Sequence, residues 1–380
     1  MRKAYKYRIW TNKQQDAALS FQLAEACRLY NGALQERRDA YRINKKSLNY
    51  YDQANQLKEI RAGGDLALAN FSSCQDILRR VDKTFKAFFN RIKRKEKAGF
   101  PRFKSAKRFD SITFPSYGDG IKLTENKLKI QGVGLVKVKL HRAVKGTIKT
   151  VTIKRECGKW YVCFVVECDN ELLPKTGEQV GMDAGIESFM TLSDGTQIDN
   201  FKYFESSQKQ LRRVQRKVAR RKKSSNRRRK AVLSLQKVHA KIRNQRNDFH
   251  HQVSRLLVNS YDLIAIEKLN ILGLSKGILS KQIHDVAWSG FFNKVAYKAE
   301  CAGRDLKEIN PSYTSQDCSG CGDRQKKDLS VRLHVCAVCG LRLHRDHNAA
   351  INILNSALGL SVALPTKATR LRVGAEAALL

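Results

Sequence analysis

The segment from Cys318-Ser-Gly-Cys321 through Cys336-Ala-Val-Cys339 to Arg345-Asp346-His347-Asn348-Ala349-Ala350 carries four thiols and a carboxylate in close succession. The spacing C-x2-C-x14-C-x2-C sets paired thiolates on two turns, the pattern of a structural Zn²⁺ ribbon held by Cys318, Cys321, Cys336 and Cys339. Six residues separate Cys339 from Asp346, so the ribbon ends against an acidic helix start. A stapled loop in that place aims a carboxylate, and the chemistry of the chain is expected there.

Two further acids stand at the ends of strand-like runs. Val180-Gly-Met-Asp183-Ala-Gly-Ile186 reads as a strand stopping at Asp183, with residues 189–192 and 197–198 continuing a meander. Asp262-Leu-Ile-Ala-Ile-Glu267 is a nearly continuous apolar run closed by an acid, the signature of a buried strand delivering a carboxylate to a sheet edge. Asp183, Glu267 and Asp346 lie 84 and 79 positions apart. Phosphodiester hydrolysis by two Mg²⁺ ions about 4 Å apart needs such hard oxygen ligands, one ion activating water and the other stabilising the leaving oxygen. In that scheme Asp183 bridges the ions, and Glu267 and Asp346 each complete one. A single acid at a strand end is more often a cap or a surface charge; the set of three is what points to a site.

The rest of the chain divides by pattern. Residues 3–9 alternate as a strand, and residues 12–97 turn helical, with Leu19, Leu23, Cys27, Tyr30 and Leu34 on one stripe. A second stripe runs through Ile77, Leu78, Val81, Phe85, Phe88 and Phe89, with Gly63-Gly64 as the break between the two. Residues 111–170 alternate as β-structure, with strands at 127–130, 136–140, 147–154 and 159–167. Opening strand and later strands are expected to form one barrel, the helical block being inserted between them. Residues 205–257 read as helical with a turn at Ser224-Ser-Asn226, residues 288–302 as a helix, 305–309 as a strand, and 356–380 as a loose tail.

The 380 residues are too many for one core and suit two or three domains. Apolar residues make up 42% of the chain, enough to fold, yet 73 Lys and Arg face 35 Asp and Glu, a net charge of +38. Such an excess calls for a polyanion, and phosphate backbones are the usual one; acidic membranes or ribosomes are the other candidates, and charge alone does not choose DNA over RNA. Thirteen of the cations fall within residues 209–230, and one sign sustained over twenty residues is unlike a merely solvated helix pair. Arg212, Arg213, Arg216, Lys217, Arg220, Arg221, Arg227, Arg228, Arg229 and Lys230 are therefore candidate nucleic-acid contacts. No secretory pattern opens the sequence, and its longest apolar stretch, near residues 263–266, is too short to span a membrane. Cys27, Cys74, Cys157, Cys163, Cys168 and Cys301 lack metal spacing and are expected to be reduced thiols packed as small apolar residues, as in a prokaryotic cytosol.

Taken together, Gly181-Met-Asp-Ala-Gly-Ile186, Ile264-Ala-Ile-Glu267-Lys-Leu-Asn270, Tyr313-Thr-Ser-Gln-Asp-Cys318 with its cysteine pairs, and Arg345-Asp-His-Asn-Ala-Ala-Ile-Asn352 resemble the TnpB (OrfB) family. Those proteins are encoded by insertion sequences and are similar to type V CRISPR nucleases. Gly99-Phe-Pro-Arg-Phe-Lys104, Val151-Thr-Ile-Lys-Arg155 and Lys159-Trp-Tyr161 look like earlier landmarks of the family, so the resemblance runs to about residue 355.

The resemblance implies a multidomain α+β protein. A wedge β-barrel (1–11 and 105–175) would carry an inserted helical recognition domain (12–104). A RuvC-type, RNase H-like nuclease core (176–313) would contain the basic helix pair 205–257. The zinc ribbon (314–343) and the start of a last helix (344–355) would follow. It implies an RNA-guided DNA endonuclease that binds a guide RNA transcribed from the element end, one protein per RNA. Such a complex recognises a short target-adjacent motif and cuts double-stranded DNA in a single RuvC site, with Asp183, Glu267 and Asp346 as catalytic metal ligands. Gln75, Tyr50 and Tyr51 of the helical block are candidates to read the adjacent motif. Base pairing would supply sequence recognition, leaving the protein to read duplex and heteroduplex shape. His344 reads as a surface residue close to both ribbon and acids. The competing readings are a catalytically silent RNA-guided repressor, which would lack an acid or the ribbon, and a direct DNA transposase, which would join strands without RNA.

Overall fold

A computed structural model of the chain describes residues 1–64, 66–328 and 331–360, which divide between Asp169 and Asn170 into two compact units. In the first, β1 (Arg2–Trp10) buries Tyr5, Tyr7 and Ile9 and turns Lys6 and Trp10 outward, the period of two expected of a half-buried strand. Asn12 and Gln15 then form a reciprocal capping box that starts α1 (Lys13–Asn44).

The helical block holds a break at Lys45 besides the expected one at Gly63-Gly64. α1 ends at Lys45, whose φ of 53° is left-handed, and a second capping box, Asn49 with Asp52, opens α2 (Tyr50–Ala62). α3 (Phe71–Lys93) follows, capped by Asn70. The strands β2 (Ser111–Phe114), β3 (Ile121–Thr124), β4 (Lys127–Ile130), β5 (Gly134–Lys139), β6 (Thr147–Glu156) and β7 (Lys159–Glu167) complete the unit. With β1 they make one antiparallel sheet in the order β2-β6-β7-β1-β5-β4-β3. Helix residues Leu23, Tyr30 and Ile77 share a single core with sheet residues Val136, Val162 and Phe164, so helices and sheet fold as one body.

The second unit is built on a mixed sheet. β8 (Gln179–Ala184), β9 (Ser188–Leu192) and β10 (Gln197–Asp199) form an antiparallel meander. After α4 (Tyr203–Ser206), α5 (Gln208–Ala219) and α6 (Asn226–Ser260), β11 (Leu263–Glu267) pairs parallel to β8. The short helices α7 (Ile271–Leu274) and α8 (Ser280–Val286) come next, in a glycine-containing stretch with no readable period. α9 (Trp288–Ala302) then leads to β12 (Asp305–Ile309), parallel to β11, giving the order β10-β9-β8-β11-β12.

Alternation sorts the two faces of this sheet. Val180, Met182, Ile264 and Ile266 pack with Phe249, Val253, Leu257, Phe291 and Val295 of α6 and α9. Leu263 and Ala265 face the other way, against Ile353 and Ala357 of α10 (Arg345–Leu358). Between β12 and α10 lie the cysteine-bearing loops and a hairpin of β13 (Leu333–Val335) and β14 (Arg342–His344).

Two expectations need correction. The last helix does not stop at residue 355: it continues to Leu358, because Ala357 still packs on the sheet, and a left-handed Gly359 ends it. The remainder of the expected tail, residues 361–380, lies outside the described residues. Of the six isolated cysteines only Cys27, Cys74 and Cys301 are buried; Cys157, Cys163 and Cys168 are half-exposed, Cys157 in a tight turn at φ 50°. None of the helices among the described residues is long and apolar enough to cross a membrane.

Candidate active site

The three acids reach one place by pleat and register. Gly181 and Asp183 alternate on β8 to the face opposite Val180 and Met182, and Ala265 and Glu267 do the same on β11. β8 and β11 are in register from Leu263 opposite Gln179 to Ile266 opposite Met182, so the next step sets Glu267 beside Asp183. α10 lies across that face. It can approach because residue 181 is glycine: a Cβ there would stand 2.2 Å from the Ala350 carbonyl oxygen and 2.6 Å from the Leu354 nitrogen. The close crossing brings Asp346, in the first turn of α10, over the two strand acids.

The electrostatics report the convergence. Asp183 is enclosed on most sides, and burial pushes its carboxyl up to about 8, with the charges of Glu267 and Asp346 adding and Arg345 opposing. Glu267 is also raised by burial, partly offset by the hydrogen bond that the Thr314 hydroxyl donates to its Oε1 at 2.5 Å. A buried Asp183 carboxyl raised further by two neighbouring acids marks a hard-oxygen donor set short of positive charge. That chemistry fits Mg²⁺, and a divalent ion would restore full ionisation.

Further residues position this set, and the sequence reading gave them no role. The His347 ring bonds the Ser193 carbonyl (3.1 Å), while Ser193 and Gly181 exchange two hydrogen bonds of 2.9 and 3.0 Å, tying the first turn of α10 to β8. His344 is not a bystander: its Nδ1 caps α10 by accepting from the Asp346 N–H at 3.4 Å and lies 3.9 Å from the Asp346 carboxylate. Asn348 donates to the Asp317 carbonyl and accepts from the Ser319 N–H; Asn352 donates to the carbonyls of Thr314 and Asp317. Their i, i+4 spacing on one helix face was the available signal.

Cys318, Cys321, Cys336 and Cys339 bring their sulfurs within 4.8 Å of one another, with 3.6 Å between Cys318 and Cys339 and 3.5 Å between Cys321 and Cys336. Four sulfurs at the Zn–S distance of 2.3 Å stand about 3.8 Å apart at tetrahedral corners, so the cluster could hold Zn²⁺. The four thiols share charge unevenly, Cys336 being drawn down chiefly by the Cys339 backbone N–H while Cys318 and Cys321 are pushed up, and a bound Zn²⁺ would hold all four as thiolates.

The basic helices form a hairpin whose core is Leu211, Val214, Val238 and Ile242, leaving the cations outside. Arg212, Arg213, Arg216, Lys217, Arg220, Arg221, Arg227, Arg229 and Lys230 are exposed. Arg228 differs: its guanidinium donates to the carbonyls of Val218 (2.5 Å) and Arg221 (3.1 Å), clasping α5 to α6. In the other unit, Tyr50, Tyr51 and Gln75 line one groove of 660 Å³ together with Lys58, Arg79 and Lys86.

Comparison with known proteins matches three family models: "Probable transposase" over residues 163–277, "Cas12f1-like, TNB domain" over 288–353 and "Helix-turn-helix domain" over 1–46. Residues 1–44 hold one strand and one long helix, so the last description does not match their local structure. The chain is 30% identical over 375 residues to "Putative RNA-guided DNA endonuclease InsQ" of Escherichia coli (strain K12), covering 92% of this chain and 91% of that one. It is 33% identical over 376 residues to "Putative RNA-guided DNA endonuclease" of Streptomyces pristinaespiralis, covering 95% and 90%. In fold it is similar to CasPhi-2 (Cas12j), solved bound to crRNA, with a TM-score of 0.50 at 10% identity over 97% of this chain and 99% of that one.

Proposed function

Since the chain belongs to the TnpB (OrfB) family of insertion-sequence proteins, we propose that it is an RNA-guided DNA endonuclease with one RuvC-type centre. The meander-then-parallel order β10-β9-β8-β11-β12, with α10 across one face, supports an RNase H-like nuclease core. The seven-stranded sheet takes the part of the wedge barrel and α1–α3 that of the recognition helices.

Asp183, Glu267 and Asp346 are the residues that would hold Mg²⁺. When bound, the ions supply an activated water and charge stabilisation at the scissile phosphate. The chain's own residues set the geometry. Thr314 orients the Glu267 carboxylate, and His344 and His347 fix the first turn of α10, and with it Asp346. The exposed cations of α5 and early α6 track phosphates, while pairing with a guide RNA from the element end supplies sequence recognition. Tyr50, Tyr51 and Gln75 would meet the base edges of the adjacent motif. The four cysteines would hold a structural Zn²⁺, stiffening the approach to Asp346.

The observation that carries the reading is the convergence of three carboxylates, from two neighbouring strands and one helix, on one sheet face. Plasmid cleavage tests it: the protein co-expressed with element-end RNA should cut DNA bearing the guide match in Mg²⁺. A verified protein–RNA complex that binds its target and leaves it intact would overturn it in favour of a silent repressor.

A further inference from the structure

α3 carries three rings, Phe85, Phe88 and Phe89, that line one cleft with Phe100 of the following segment, and no function described above uses them. Phe100 meets Phe85 at 5.8 Å and Phe88 at 5.4 Å, both edge-on, and Phe88 lies 5.2 Å from Phe89. The cluster is open on its far side: Tyr41 is 61% exposed, Phe89 51% and Phe100 50%. Chains rarely leave so many large rings together in water unless something covers them. The cleft they line measures 990 Å³, and its rim is cationic, with Arg38, Arg42, Lys45 and Lys86.

Two neighbours extend it. Across Phe100 and Arg38 lies a hollow of 320 Å³ that adds Phe103 and Arg102. In the other direction Asp82 and Lys86 are shared with the 660 Å³ groove of Tyr50, Tyr51 and Gln75. Rings on the floor and cations on the rim are complementary to a single strand, with bases turned in and phosphates turned out. Bases inside a duplex or an RNA–DNA hybrid hide their faces in the stack. When a guide RNA pairs with one DNA strand, the strand left over is the one with faces to offer. It leaves the duplex next to the adjacent motif, at the groove end of this track.

We infer that the Phe85, Phe88, Phe89 and Phe100 cleft stacks the first unpaired bases of the displaced DNA strand, an assignment that rests on the RNA-guided reading above. Stacking there retards re-annealing of the opened duplex and holds the DNA while the hybrid grows.

The test uses the full protein with its guide RNA and a target selected from a library of randomised flanks. 5-Iodo-2′-deoxyuridine is placed singly along the displaced strand and, in parallel, along the target strand, with 5-iodouridine in the guide. Irradiation crosslinks an iodinated base to the ring it stacks on, and mass spectrometry locates the peptide. The expected result is displaced-strand crosslinks to Phe89 or Phe100, reduced at least tenfold in Phe89→Ala and Phe100→Ala. Thermal unfolding checks that these half-exposed positions leave the fold intact. Permanganate reactivity of displaced-strand thymines reports opening independently. No opening on any selected target sinks the RNA-guided reading and this inference with it. Opening with crosslinks from the guide or the target strand alone, or with none to the cleft, overturns the inference and leaves that reading standing. Self-association in sedimentation that Phe89→Ala abolishes, without crosslinks, assigns the cleft to a second copy and likewise overturns it.

Discussion

Gly181 of β8 and Ala350 of α10 approach so closely that a single added carbon on Gly181 would stand 2.2 Å from the Ala350 carbonyl oxygen. The obstacle is helix backbone, which cannot swing aside as a side chain would. Gly181→Ala should therefore push α10 outward, costing about 1–3 kcal/mol. Because Asp183 and Asp346 are carried on the same two elements, cleavage should fall by more than the stability loss explains. Urea unfolding and cleavage rates measured on folded variant are the check; a variant equal to wild type in both would contradict the packing.

Removal of metal should make stability depend on pH through Asp183. Its folded carboxyl is pushed up to about 8 from the 3.8 of an ordinary aspartate, so the folded state holds a proton that the unfolded state releases. Stability is then greatest below pH 4 for this group and is lost as pH rises from there through 8. In EDTA, Tm at pH 8 should lie below that at pH 5 by about 5 °C, and Mg²⁺ should restore it. Asp183→Asn should flatten the difference. An unchanged slope in that variant would remove Asp183 as its source.

Thr314 is expected to act through Glu267 and not on substrate. Thr314→Val deletes the hydroxyl that donates to Glu267 Oε1, so the carboxyl should rise further and the Mg²⁺ concentration for half-maximal cleavage should increase about 10–100-fold. Thr314→Ser keeps the donor and should keep the wild-type midpoint. A titration in which Ser and Val behave alike would make Thr314 a packing residue only.

Chelation of zinc should disorder the segment between Thr314 and Arg345, since metal binding supplies ~10–16 kcal/mol to small thiolate modules. Hydrogen exchange should rise across the cysteine loops and the first turn of α10, while β8 and β11 keep their protection. If protection around Cys318 and Cys336 survived the chelator, the four thiols would not be a metal site.

Affinity for nucleic acid should fall with salt at a log–log slope near −9 if about 10 phosphates are neutralised. Arg216→Ala and Arg220→Ala, both exposed on or beside α5, should each make the slope shallower by about 1. Arg228→Ala should behave differently, because that guanidinium is occupied by the Val218 and Arg221 carbonyls. It should loosen the helix hairpin, seen in proteolysis, with little change in slope. Equal slopes for all three variants would deny the hairpin a phosphate-contacting role.

Strand positions were legible where alternation is strict. β1, β7, β8 and β11 appear within a residue or two of where the pattern set them, because a half-buried strand must alternate and a two-sided one must be apolar throughout. The break at Lys45 is harder to read because neither glycine nor proline marks it, only the Asn49 and Asp52 capping box that opens α2. α7 and α8 were missed for another reason: four and seven residues are too few to display a period. Within the candidate site, the three acids and four cysteines stood out as residue types. The roles of Thr314, His344 and Arg228 did not, because they follow from the particular groups those side chains reach, which no spacing rule announces.

The asparagines of α10 constrain how relatives of this chain can vary in length. Asn348 and Asn352 hold the backbone at Thr314, Asp317 and Ser319, and β14 runs directly into the helix at Arg345. Lengthening the chain between Cys339 and Asp346 by one residue would rotate the helix start by about 100° and swing its carboxylate off the sheet. Arg345 adds a further tie at the helix start, its guanidinium donating to the Asp328 carbonyl at 3.0 Å and its backbone N–H to the Arg332 carbonyl at 2.7 Å. Insertions and deletions accumulating during descent should therefore spare the Cys339-to-Asp346 interval, whose length sets the phase of the helix.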